Sequence, residues 1–240
     1  MSSDERGFTI IEVLVAMSVG MIVMIGVLNI VDAAGSALGR TQSRVDAEAR
    51  GRNALEQAVG DLRNAVCVQT GGTLANPTLS SPLVSADRHQ VTLYVQALDR
   101  TQVNSGTFAA PSKLQLAWSG GTLTESIWPG SGSPPAFANT AATRTVATGL
   151  DERSDRPVFS YFAWLGSPAA LTDITPAAGG QLTAAQLPTV TRVDVAFSAN
   201  PTTPNAPAGT NALFDDSVAF RVPTDFTSDT TAQVGPVCQL

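Results

Sequence analysis

Few residues of this sequence have the types and the spacing that catalysis requires. His89 is the single histidine, and no serine or cysteine near it forms a nucleophile motif with an acid. The sequence also has no Walker loop, no dinucleotide-binding glycine fingerprint and no H-E-x-x-H zinc motif. We therefore predict that the protein is not an enzyme and requires no cofactor, and that His89 lies at the surface or at a strand edge.

Two groups of acidic residues have the ligand type that calcium prefers. Asp151, Glu152 and Asp155 form one cluster, and Asp215 and Asp216 form a pair. Carboxylate oxygens bind Ca²⁺, but the spacing of an EF-hand loop is absent. Solvated loop acids are therefore the favoured interpretation, and a calcium site at the first cluster is the weaker alternative.

The charge balance argues against a nucleic-acid-binding surface. Lysine and arginine number 14 against 20 aspartates and glutamates, and Lys113 is the only lysine. A protein that neutralises phosphates needs a basic patch, which this composition does not supply. The apolar fraction of 43 % is enough to build a folded core.

The most informative segment is apolar and lies close to the N-terminus. Residues 8–31 read FTIIEVLVAMSVGMIVMIGVLNIV and contain one charge, Glu12. As a helix, this segment is slightly longer than the ~30 Å hydrocarbon core of a bilayer. A secretory signal has a basic region first and a cleavage site on the far side of its apolar stretch, whereas here the polar leader MSSDERG comes directly before the apolar run. Cleavage after this leader would leave the helix in the product.

The residues RGFTIIEVLVAM resemble the cleavage and methylation signature of type IV prepilins and pseudopilins. The resemblance implies cutting between Gly7 and Phe8 by a prepilin peptidase at the cytoplasmic face, followed by methylation of the new Phe8 amine. Gly7 suits such a site because a residue without Cβ admits close approach of another backbone. The implied product is a structural subunit that lies in membrane lipid and then assembles with other pilin or pseudopilin subunits through its N-terminal helix.

Glu12 has a physical role in this scheme. A carboxylate on a membrane helix costs up to a few kcal/mol and is tolerated mainly when it meets a partner. Cleavage creates a positive charge at the Phe8 amine, about one helical turn away along the axis, which suits a salt bridge between Glu12 of one subunit and the amine of its neighbour. The alternative is that Glu12 lies near enough to the membrane interface to reach water.

The predicted location is the cytoplasmic (inner) membrane, with a single span and the C-terminal domain outside the cytoplasm, before incorporation into an envelope or cell-surface filament. Arg40, Arg44 and Arg50 follow the span, whereas the leader has only Arg6, so the positive-inside rule alone favours the opposite orientation. Long translocated domains are less governed by this rule. The resemblance to prepilins places the leader in the cytoplasm.

Two cysteines, Cys67 and Cys238, are too few for a disulfide scaffold and lack the C-x-x-C spacing of zinc or redox motifs. Outside the cytoplasm a disulfide persists. We therefore expect a bridge that joins the C-terminal tail to the end of the helix, with two unpaired buried thiols as the alternative.

The helix is predicted to continue beyond the membrane to about Val68. No proline occurs before Pro77, and Leu55, Val59, Leu62 and Val66 recur at helical spacing. The domain organisation is thus a leader at 1–7, a transmembrane helix at 8–31, an amphipathic continuation at 32–68 and a β-rich extracytoplasmic domain at 69–240.

Beyond the helix the apolar residues alternate, which indicates strands. Val91, Leu93, Val95 and Ala97 share one face of one strand, Leu114, Leu116 and Trp118 share one face of another, and Gly120 and Gly121 form a tight hairpin after the second. Further strands are predicted at PVFSYFAW, TRVDVAF and SVAFRV, and long loops at about 129–143, 166–188 and 199–213. The expected fold is α+β and pilin-like, with a long N-terminal helix packed on an antiparallel β-sheet domain.

Several segments spread over most of the chain loosely resemble J-type pseudopilins and W-type minor pilins: ALEQAVGDLRNA at the helix end, VTLYVQALDR, and the predicted strands PVFSYF, VTRVDVAF and SVAFRVP. The favoured function is a minor pilin or pseudopilin in a type IV pilus or a type II secretion-like filament. The alternative is an adhesion or DNA-uptake module at a filament tip, carried on the same anchor. No aromatic or basic patch in the sequence favours the alternative.

Overall fold

The structure, a computed structural model, describes residues 9–73, 76–96, 110–132, 134–201 and 211–220. Helix α1 spans Ile10–Arg63, which are 54 residues and about 80 Å at the α-helical rise. In chain order, the other elements are β1 (Val68–Thr73), β2 (Asn76–Ser80), β3 (Leu83–Ala86), β4 (Gln90–Val95), β5 (Ser112–Ser119), β6 (Thr122–Trp128), β7 (Gly130–Ser131), β8 (Ala136–Phe137), β9 (Ala142–Thr148), β10 (Leu150–Asp151), β11 (Phe159–Leu165), β12 (Ala170–Asp173), the 3-10 helix η1 (Leu187–Thr189), β13 (Val190–Ala199) and β14 (Ala212–Ala219).

Helix α1 ends earlier than predicted. The expected end was about Val68, but the last helical residue is Arg63 and Asn64 caps the helix. The backbone N–H of Val66 donates to the carbonyl of Tyr94 at 2.9 Å, and Ala65 pairs with Val95. The C-terminal end of β4 therefore pairs with the backbone groups that a further helical turn would have used.

The C-terminal half of α1 packs on the domain through a stripe of mostly small side chains. Its buried residues recur at three- and four-residue spacing and are Ser43, Ala47, Gly51, Ala54, Ala58, Val59 and Leu62. Val59 and Leu62 were predicted on this face. Leu55 is only half-buried against the core, and Val66 lies beyond the helix. Small side chains let the helix backbone approach the sheet closely.

In the described residues, two five-stranded antiparallel sheets form most of the domain, beside the two-stranded sheets β1-β2 and β7-β8. One has the order β3-β4-β5-β6-β9. In the other, β14 pairs with one side of β13, while β10 and β11 pair with its other side and β12 lies outside β11. The core between helix and sheets is filled by large buried side chains such as Phe159, Tyr161 and Phe197. The structure confirms the predicted α+β, pilin-like arrangement.

The predicted strand faces and hairpin are confirmed within the described residues. Val91, Leu93 and Val95 are buried on β4, while Ala97 lies outside the described residues. Gly120 and Gly121 join β5 to β6 with φ of +53° and +81°. Positive φ at both central residues is the geometry of a type I′ turn, which glycine adopts without strain.

Three predicted loops contain strands. The segment 129–143 holds the small hairpin of β7 and β8 and the start of β9, 166–188 holds β12, and 199–213 holds the last residue of β13 and the first two residues of β14. The last predicted strand begins at Ala212 rather than at Ser217. These strands pair through backbone groups while many of their side chains are exposed, so their sequences lack an apolar alternation.

Candidate functional site

The N-terminal half of α1 is an exposed apolar surface. All of its large apolar side chains are exposed, with exposed fractions from 43 % at Val13 to 82 % at Ile10. Among the described residues, α1 is the one helix whose length and composition suit a membrane span, and its most apolar stretch has no buried residue. Contiguous apolar surface of this size marks a membrane or protein contact.

Glu12 lies in the first turn of this exposed helix. Thr9 is the N-cap, and its hydroxyl accepts a hydrogen bond from the Glu12 backbone N–H at 3.3 Å. A threonine cap followed three residues later by glutamate has the sequence of a capping box, and a negative charge is favoured at a helix N-terminus. Glu12 therefore also suits the start of the helix, a local role that the sequence analysis missed although T-x-x-E was visible.

The N-terminal segment matches a known family model. Residues 2–28 match the family model described as the prokaryotic N-terminal methylation motif. The chain therefore carries the prepilin-type N-terminal signature. A comparison with curated proteins found no match. Gly7 and Phe8 lie outside the described residues, so the cleavage position stays a prediction.

In this pilin-like chain, the acidic residues of the first predicted calcium cluster face different partners. Asp151 accepts a hydrogen bond from the side-chain amide of Asn200, and Glu152 lies 3.0 Å from Nε2 of His89. Asp155 accepts two hydrogen bonds from Arg153, which lower the pKa of its carboxyl group. No group of three or more metal-ligating side chains gathers in the described ranges, so the calcium alternative gains no support.

The predicted acidic pair is part of an ion-pair network on β14. Asp215 is bound by Arg153 at 3.2 Å, and Asp216 lies 3.7 Å from Arg63 at the end of α1. These contacts tie β14 both to the segment before β11 and to the helix. The geometry indicates a structural role for this pair.

His89 lies in the turn before β4 and is partly exposed, as expected for a histidine at the surface. Its ring centroid is 5.1 Å from that of Trp118, and its Nε2 lies 3.0 Å from a carboxylate oxygen of Glu152. The histidine therefore joins the turn to the segment after β10.

Cys67 lies between α1 and β1 and is disulfide-bonded. Cys238 lies outside the described residues, so the pairing of the two cysteines remains a proposal.

Sequence reasoning missed a charged cluster at the helix–sheet junction. Glu125 on β6 has a side chain that is 2 % exposed, and it accepts a hydrogen bond from Arg144 of β9 at 2.6 Å. Gln57 of α1 donates to Glu125 and also to Asp61. The sequence did contain a signal for this cluster. Glu125 lies two residues from both Leu123 and Ile127, so a strand places all three side chains on the same, core-facing side.

Proposed function

We propose that the protein is a minor pilin or pseudopilin, a structural subunit of a type IV pilus or a type II secretion-like filament. Prepilin peptidase cuts the chain after Gly7, and the new Phe8 amine is methylated. The subunit then resides in the inner membrane through residues 8–31, with its β domain outside the cytoplasm, until its helix joins those of other subunits.

One observation carries this proposal: the methylation motif at residues 2–28 coincides with a helix half that is entirely exposed, while the other half of the same helix is fixed to a folded domain. A helix that is apolar all round requires lipid or other helices around it. A subunit that moves from membrane to filament exchanges the first environment for the second. This exchange needs no catalytic group.

A finer assignment, to J-type pseudopilins or W-type minor pilins, is part of the proposal. Its support is the succession of strands after the helix and the large β domain. A large β domain on one helix suits a subunit present in few copies at or near a filament tip better than a repeated shaft subunit.

The direct test is mass spectrometry of the N-terminus of the membrane-extracted protein, from cells with and without prepilin peptidase. We expect a chain that begins at methylated Phe8 only when the peptidase is present. Gly7→Val should block the cut, because the added side chain obstructs close approach at the scissile bond. Gly26→Ala is the matched control, since a Cβ there meets no atom within 4 Å.

An intact Met1 or Ser2 terminus in both strains would refute the processing step and with it the proposed function. Normal cutting of Gly7→Val would show that the peptidase does not require glycine at this position and would contradict the proposed cleavage after Gly7. Filament membership is tested separately, by whether the processed chain sediments with sheared filaments.

A further inference from the structure

The last two turns of α1 and the neighbouring sheet enclose a cluster with more negative than positive charge. Nε2 of Gln57 lies 3.1 Å from both carboxylate oxygens of Asp61 and 3.3 Å from Oε2 of Glu125. Arg144 contacts the same Glu125 oxygen at 2.6 Å. The cluster thus joins α1, β6 and β9 through four polar side chains.

The polar donors do not balance the two carboxylates. The amide nitrogen of Gln57 has two hydrogens for three oxygen contacts, and Arg144 is the one cation that acts on Asp61 among the described residues. Glu125 is the other charged group that faces Asp61. With both carboxylates ionised, a partly desolvated junction carries one excess negative charge, which is costly at low dielectric.

We propose that Asp61 and Glu125 together form a proton-binding site that fastens the end of α1 to β6 in a mildly acidic medium. The proton comes from water and is held on Asp61, whose hydroxyl then donates a hydrogen bond to the Glu125 carboxylate. Protonation removes the excess charge and adds a bond between helix and sheet, so the junction is tighter when the site is occupied.

The electrostatics agree with this geometry. Burial, opposed in part by the Gln57 hydrogen bond and assisted by the Glu125 charge, raises the pKa of Asp61 from 3.8 to about 6. Proton binding is then about 100-fold tighter in the folded chain than in the unfolded one. A raised folded pKa stabilises the fold fully below pH 3.8, and this stabilisation is lost as pH rises through 6.

The experiment compares thermal unfolding of the full chain in detergent micelles at pH 7.5 and pH 5. We expect Asp61→Asn to raise the midpoint by about 3 °C or more at pH 7.5 and by roughly half as much at pH 5, because asparagine is neutral and still donates to Glu125, whereas the wild type at pH 5 binds the proton in the folded chain but not in the unfolded chain. Asp46→Asn is the matched control, an exposed aspartate on the same helix, and should follow the wild type at both values. An equal change for Asp61→Asn at both pH values would overturn the proposal.

A second measurement does not depend on any variant. The carboxyl ¹³C resonance of Asp61 in the wild-type chain should titrate with a midpoint near 6, and in Glu125→Gln this midpoint should fall. A wild-type midpoint near 4 would show that Asp61 binds its proton as an ordinary aspartate, and the proposed site would then not exist.

Discussion

At the scale of single residues, Glu12 combines two requirements that usually conflict. Its carboxylate sits on a helix half with no other charge between residues 8 and 31, yet its position in the first turn is favoured by the helix dipole. Its neighbours in the turn are exposed apolar side chains. In the proposed filament, Glu12 is the side chain of the apolar helix that would pair with a charged partner.

We expect Glu12→Ala to insert into the membrane normally and to be cut after Gly7, but to be lost from assembled filaments. The reason is that the substitution removes the carboxylate that would pair with a neighbour's Phe8 amine. The measurement is the ratio of protein in sheared filaments to protein in membranes. Ser18→Ala is the control, because the Ser18 hydroxyl bonds only to carbonyls of its own helix, at Leu14 and Val15. Filament incorporation at the wild-type level would contradict the pairing.

At the scale of elements, the contact between α1 and β14 depends on one glycine. A Cβ on Gly51 would lie within the ring of Phe214. This ring also packs on Phe197, with centroids 5.9 Å apart, where β14 pairs with β13. Because Gly51 has no side chain, the helix leaves space for the Phe214 ring of β14.

Gly51→Ala is therefore expected to lower the free energy of unfolding by about 1 kcal/mol or more, since overpacking outweighs the gain in helix propensity. Gly60→Ala on the same helix meets no atom within 4 Å and should raise stability by up to about 1 kcal/mol. Urea unfolding of both variants in micelles measures the difference. Phe214→Leu should partly rescue Gly51→Ala, and a Gly51→Ala variant as stable as Gly60→Ala would show that the ring yields freely.

At the scale of the whole molecule, the proposed disulfide between Cys67 and Cys238 would link the end of the helix to the C-terminal tail. Cys67 is disulfide-bonded at the point where the helix passes into the first strand. A bridge to Cys238 would close a loop of about 170 residues and contribute about 4 to 5 kcal/mol in the chain-entropy model. Such a bridge would hold the tail against the end of α1.

We expect reduction to lower the melting temperature of the full chain by roughly 10 °C, and Cys67→Ser, Cys238→Ser and the double variant to show the same loss. Reduction of the double variant, which has no bridge, should change nothing. A nonreduced digest should contain one peptide pair that joins both cysteines. Free thiols at both positions in that digest would rule out the bridge.

Sequence reasoning predicted the strands in which apolar and polar side chains alternate. Alternation along β4 and β5 and the glycine pair between β5 and β6 gave the correct strands and turn. The same reasoning missed β12 and the small hairpin of β7 and β8, because short, exposed strands bury few side chains on either face. It also placed the helix end too late, because the backbone groups after Arg63 pair with the C-terminal end of β4, whose residues are far away in the chain.

The sequence by itself determined the prepilin-type signature, the apolar helix and the α+β class, because each depends on local spacing and hydropathy. Only the tertiary structure decided where the helix stops, which glycine receives an aromatic ring, and that Glu125, Asp61 and Arg144 meet. Those outcomes depend on contacts between distant segments. A local pattern shows that a carboxylate faces the core, but only the packed fold shows which charges lie beside it and how strongly water is excluded.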